Sequence, residues 1–203
     1  RGQVEEASPS SLFVFNPAEP HAGSMGRSDR WRYRSLYLTR QALDGLAAEL
    51  GIERVPYFTA NRFDDPDLVD AFLVLHRALV AGRDVFRERE VLVDSFGVLF
   101  GRHGCGGDRL PATGRNERAF EQVRERMRSD YAADLRLPDL AAGVGLSTFQ
   151  LIGLFKKTAG LTPHAYLTQV RLDAACRLLR RATLPAEVAL AVDRKSTRLN
   201  SSH

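Results

Sequence analysis

Leu137 to Lys157 reads LPDLAAGVGLSTFQLIGLFKK, and the spacing of its small and apolar residues decides the fold of the C-terminal part of the chain. Leu140, Ala141, Val144, Gly145, Leu146, Leu151 and Leu154 stand where two short helices joined by a tight turn need them. Ala141 is small, so a second helix can cross close to the first. Gly145 supplies the positive φ of the turn without steric cost, and the remaining apolar residues clamp the helices together. Ser147 then caps the second helix, its side-chain oxygen satisfying a first-turn amide. Thr148 and Gln150 are expected to be exposed on that turn, with Lys156 and Lys157 near the helix end. A plain helical hairpin shares the Ala/Gly pattern without touching nucleic acid. The polar exposed positions and the basic surroundings favour a helix-turn-helix that enters a DNA groove.

Outward from this motif the chain is helical from Glu117 almost to its end. Phe120, Val123, Met127 and Tyr131 mark a first helix, and breaks are expected at Pro138, Gly145, Gly160 to Pro163 and Thr183 to Pro185. Ala165 to Arg181 is a long amphipathic stretch. Beyond it, Glu187 to Val192 (EVALAV) repeats the pattern of Asp139 to Gly145 (DLAAGVG) 48 residues later, as though a second helix-turn-helix were beginning.

Toward the N-terminus, Gly101 to Asn116 (GRHGCGGDRLPATGRN) is rich in glycine and has no apolar period, so residues 101–116 read as an interdomain linker. Residues 64–100 read as a helical hairpin: Leu68, Phe72, Leu75 and Leu79 at helical spacing up to Gly82, then Phe86, Leu92, Phe96 and Leu99 up to Gly101. Its wide apolar stripe serves either as a dimer surface or as packing against its own N-terminal domain. Within residues 1–63, Leu12 to Phe15 read as an apolar strand broken by Asn16-Pro17. Trp31, Tyr33, Ser35 and Tyr37 alternate with Arg32, Arg34, Leu36 and Leu38 in the period of a strand. Together these suggest a hairpin-like unit of a larger sheet or barrel.

The chain has 203 residues, 44% hydrophobic and 27% charged, the composition of a globular protein with a real core. No run approaches a membrane helix and no signal-peptide layout is present; a cytoplasmic protein is expected. Cys105 and Cys176 form neither a CxxC nor a Cys/His cluster, so they are expected to be reduced bystanders. Residues 1–115 hold 15 basic and 16 acidic side chains, whereas residues 116–192 hold 11 and 8. The positive excess sits in the half that carries the motif, where a polyanion docks.

Leu137 to Leu179, LPDLAAGVGLSTFQLIGLFKKTAGLTPHAYLTQVRLDAACRLL, resembles the first helix-turn-helix and connecting helix of AraC/XylS-type transcription regulators. Leu12 to Gly23 with Trp31 to Leu38 resembles, less specifically, the later strands of that family's cupin-like effector-binding barrel. The resemblance implies an α+β chain: a partial cupin-like barrel (1–63) with the helical hairpin (64–100), the linker, and an all-α DNA-binding domain (117–192) truncated before its second unit. It implies a one-component regulator that binds double-stranded DNA and a small-molecule effector, with a homodimer, and RNA polymerase if it activates, as further partners. In such regulators the two helix-turn-helix units lie about one helical turn of DNA apart. The family often has a basic or hydrogen-bonding residue where this chain has Gly153, which offers no side chain to a base. DNA contact is therefore expected from the helix Ser147 to Lys157: Thr148 and Gln150 on bases, with Gln able to make a bidentate contact to adenine, and Lys156 and Lys157 on phosphates.

After Val192 a turn glycine and another recognition helix would be expected. The chain instead reads DRKSTRLNSSH (residues 193–203), which resembles the translation of a sequencing adapter, so this tail is expected to be non-native. The start at Arg1, already leading into a strand, suggests that further chain precedes it.

Other candidate sites are sparse. His21 and Trp31 are candidate effector contacts, although a histidine at a strand-end turn is more often structural and aromatics at strand spacing, Tyr33 and Tyr37 among them, are more often core. A cupin enzyme would need several His and a Glu on two strand pairs, and His21 is alone, so neither a metal site nor a cofactor is expected. His76 and His164 read as structural, His103 and Cys105 as chance neighbours in the linker. No catalytic set stands in usable context. The rival readings, a cupin-type metal enzyme with an appended helical domain or a helical protein-interaction module, predict bound metal and no salt-dependent DNA affinity respectively.

Overall fold

A computed structural model describes residues 5–17, 19, 21–24, 30, 32–180 and 185–192, and the chain divides into two compact units, Arg1–Pro111 and Ala112–His203. Trp31 and the tail 193–203 lie outside the described residues.

In the first unit, β1 (Leu12–Phe13) pairs antiparallel with β2 (Arg62–Phe63), Leu12 opposite Phe63 and Phe13 opposite Arg62. Val14 N–H adds one more bond, 2.8 Å, to the Asn61 carbonyl. The Asn16 side chain then mimics a strand neighbour: its amide donates to the Phe58 carbonyl and its oxygen accepts the Phe58 N–H, both at 2.9 Å. The expected strand over 31–38 is corrected here. Described residues 32–38 form no strand, and Tyr33 and Tyr37 are exposed by 69% and 86%. Alternation alone does not make a strand, because a strand needs a neighbour to take its backbone bonds. The neighbour of β1 comes from residues 62–63, far along the chain.

Between these strands lies α1 (Arg40–Leu50), unread in the sequence although its signals are present: Thr39 caps the Ala42 N–H, Leu46 and Leu50 are buried, and Gly51 closes it at φ 75°. The helical hairpin forms as expected. In α2 (Pro66–Ala81) Asp65 caps the Leu68 N–H, and in α3 (Val85–His103) Asp84 caps the Arg87 N–H. Leu68, Leu75 and Val93 are fully buried between them, and Phe72 meets Phe96 edge-on at 5.2 Å. Arg102 and His103, in the last turn of α3, both reach Asp65. Those hydrogen bonds, Arg102 first, hold the Asp65 carboxyl down to about 2.

The expected linker is structured through Asp108. Gly101 to His103 continue α3; Cys105 exchanges backbone bonds of 2.9 and 2.7 Å with Tyr57. Asp108 accepts from the backbone N–H groups of Glu53 and Arg54 and pairs with the Arg54 side chain. Gly107, at φ 68°, lies against the Pro56 and Arg54 backbone where a Cβ has no room. Glycines that read as flexibility serve close packing instead.

The second unit is all helical among its described residues: α4 (Glu117–Ser129), α5 (Leu137–Ala142), α6 (Thr148–Ala159), α7 (Pro163–Arg180) and α8 (Pro185–Val192). Phe155 is fully buried at its centre, with Phe120 of α4 at 4.9 Å and Tyr166 of α7 at 5.7 Å. The Arg171 guanidinium donates 2.9 Å to the Tyr131 carbonyl, tying α7 to the segment after α4. Val188 of α8 is buried like Leu140, its counterpart in the repeat. The architecture is thus α+β, mostly helical, with one small sheet among the described residues.

Candidate nucleic-acid interface

The turn between α5 and α6 follows from local chemistry. Ala141 is 1% exposed under α6, and its carbonyl accepts from Val144 and Leu146 N–H groups at 3.1 and 3.0 Å. Gly145 sits at φ 68° with open space around it. Glycine is required there by backbone conformation rather than by crowding. Leu137 and Leu140 of α5 and Leu151, Ile152, Leu154 and Phe155 of α6 are all buried. Burial of each such side chain contributes roughly 1.5 to 3 kcal/mol, so the apolar face fixes which face of α6 points outward.

Ser147 forms the N-cap as expected, accepting from the Gln150 N–H at 3.2 Å. The reciprocal bond is also made, from Ser147 N–H to Gln150 Oε1 at 3.1 Å, completing a capping box. Ser147-Thr148-Phe149-Gln150 is the S-x-x-Q spacing of that motif, so the signal lay in the sequence. Gln150 Nε2 donates 3.3 Å to the Ala112 carbonyl. Both ends of the amide expected on adenine are thus engaged within the chain.

Thr148 departs from its expected exposure: it is 2% exposed. A residue at N1 shares the side of the helix that packs on the core when positions N4, N5, N7 and N8 do. Lys156 and Lys157 are exposed at the last turn, and Lys157 Nζ donates to the Thr113 carbonyl. Gly160, at φ 67°, ends the helix.

In the first unit His21 is exposed and lies flat on Phe15, ring centroids 3.9 Å apart and planes 8° from parallel. Its Nδ1 is 3.1 Å from the Glu19 carbonyl. Glu19 itself accepts from Asn16 and Asn61, which holds its carboxyl below the usual range, the Asn16 backbone N–H contributing most. Among the described residues no group of three or more His, Cys, Asp or Glu is placed to hold a metal ion, and no helix is long and apolar enough to cross a membrane.

Two family matches bear on these units. Residues 1–96 match the AraC-like ligand binding domain and residues 140–197 the helix-turn-helix domain. The chain is 24% identical over 182 residues to a Bacillus subtilis (strain 168) protein named as an uncharacterized HTH-type transcriptional regulator, YbfI. The match covers 89% of this chain and 66% of that protein, just under two thirds of its length. No solved structure matches the chain.

Proposed function

We propose, from the premise that the chain belongs to the AraC-type transcription regulators, that it binds double-stranded DNA in the major groove through α6 and responds to a small-molecule effector held by the N-terminal region. The observation that carries this is the helix-turn-helix geometry itself: a buried α5–α6 core, a turn glycine at positive φ, and a recognition helix whose outward side carries Gln150, Lys156 and Lys157. Base reading falls chiefly to Gln150, since Thr148 is buried; Ser147 orders the first turn. Lys156 and Lys157 neutralise phosphates.

The effector is held by a cupin-like barrel of which residues 1–63 form part, with His21 and Trp31 as contacts; the His21–Phe15 stack offers a flat aromatic surface. To regulate, the effector must bind one arrangement of the chain better than another. Leu79, Val80 and Val85, exposed where α2 meets α3, suit a homodimer contact. A cytoplasmic location follows from the regulator role, and RNA polymerase is a further partner if the protein activates.

Selection of preferred sites from random duplexes tests the reading. Gln150→Ala is expected to change the preferred bases at one position, and Lys156→Ala or Lys157→Ala to weaken all sequences alike with a shallower salt dependence. An unchanged site preference for Gln150→Ala removes its base-reading role.

A further inference from the structure

We propose that Ala112–Thr113 is a strap lying over the DNA-reading face of α6, seated in the notch that glycine leaves at position 153, and that DNA binding requires the strap to lift. The inference rests on the proposed DNA-binding role of α6.

Strap and helix meet at Gln150, Gly153 and Lys157. These positions are spaced i, i+3, i+7, a single stripe of a helix, and it is the stripe that the buried residues Leu151, Ile152, Leu154 and Phe155 leave outward. The strap contributes two backbone carbonyls. Ala112 accepts from the Gln150 amide at 3.3 Å and Thr113 accepts from the Lys157 ammonium. Carbonyl oxygens here take the donors that a base edge and a phosphate would take in a groove, so strap and DNA compete for the same groups.

Gly153 supplies the third contact. Glycine in a helix interior is disfavoured relative to alanine, and nothing in the helical backbone at 153 asks for it. A Cβ there would lie 2.7 Å from Thr113 Cβ and 3.1 Å from its Oγ1, inside van der Waals contact. The missing side chain makes room for Thr113. On its C-terminal side the strap is held within the same unit by Asn116, whose side chain caps α4 at the Ala119 N–H, 3.0 Å, so it is tethered three residues from a fixed helix start whether docked or lifted. With a population of closed strap, the apparent DNA affinity falls by the fraction that is open.

Gly153→Ala tests this in the full chain. The substitution favours the helix while evicting Thr113. Trypsin cleavage at Arg109 and Arg115, which flank the strap, should become several-fold faster. Affinity for a fluorescein-labelled duplex of mixed sequence, read by anisotropy at low salt, should rise about tenfold, the worth of two displaced neutral or singly charged hydrogen bonds. Gly153→Ala combined with Thr113→Gly removes the clash and should return both readouts toward the parent values. Faster cleavage with unchanged or weaker DNA binding overturns the strap while leaving the DNA-binding reading intact. Unchanged cleavage in Gly153→Ala also overturns it, because Thr113 then does not sit in the notch. Absence of duplex binding by the parent and every variant overturns both readings together.

Discussion

Exchange of Gln150 for alanine or glutamate separates the two bonds its side chain makes. The Oε1 atom accepts the Ser147 N–H at 3.1 Å, and Nε2 donates to Ala112 at the longer distance of 3.3 Å. A net hydrogen bond contributes about 0.5 to 1.5 kcal/mol, the longer one at the low end, so Gln150→Ala should destabilise the second unit by about 1 to 2 kcal/mol. Glutamate keeps an acceptor for Ser147 and places a negative charge at the helix N-terminus, which favours it by about 0.3 to 1 kcal/mol. It loses the donor and sets a carboxylate against the Ala112 carbonyl. Gln150→Glu should therefore stay within about 0.5 kcal/mol of the parent in stability while freeing the strap. Urea unfolding followed by far-ultraviolet circular dichroism reads the helices of both units, and hydrogen exchange resolved to peptides within residues 117–180 assigns the loss to the second. Exchange in the helices of the first unit, α1 to α3, should not move. If glutamate proves as costly as alanine, or alanine costs nothing, the capping-box account of Gln150 is refuted.

Two further perturbations test the packing. Phe155→Ala removes a fully buried ring that contacts Phe120 and Tyr166; a loss of about 3 to 5 kcal/mol is expected, read as lost hydrogen-exchange protection in the helices of the second unit while α1 to α3 of the first keep theirs. Asp65 has its carboxyl held down to about 2 by Arg102, His103 and the Leu68 N–H. A depressed folded pKa gives stability that is full above the unfolded value near 4 and is lost as pH falls toward 2. Asp65→Asn should flatten that acid limb of the first unit's stability curve; an unchanged limb means the cluster contributes nothing to it.

How much of the candidate interface was legible differs residue by residue. Ser147, Gly145, Ala141 and the buried leucines of α5 and α6 stand where their spacing put them, because caps, positive-φ turns and helical faces are decided within a few residues. The S-x-x-Q capping box was there to be read by the same logic. Helix α1 carried ordinary signals in Thr39, Leu46, Leu50 and Gly51. The strand expected over 31–38 failed for the opposite reason: period two states which side chains share a face but not whether a neighbour exists to take the backbone bonds. Thr148 was expected to be exposed from its polarity alone, while the helical register turned it inward.

The sequence by itself determined the helices, their caps and the helix-turn-helix, since each is a local choice whose free energy depends on near neighbours. Only the tertiary structure decided which distant segments meet: residues 62–63 beside residues 12–13, Gly107 against Pro56, and Ala112–Thr113 against Gln150, Gly153 and Lys157. Such contacts are a competition among all segments for the same donors, faces and notches. No period in the sequence records its winner, and Gly153, which read as a lost DNA contact, is where the Thr113 side chain lies.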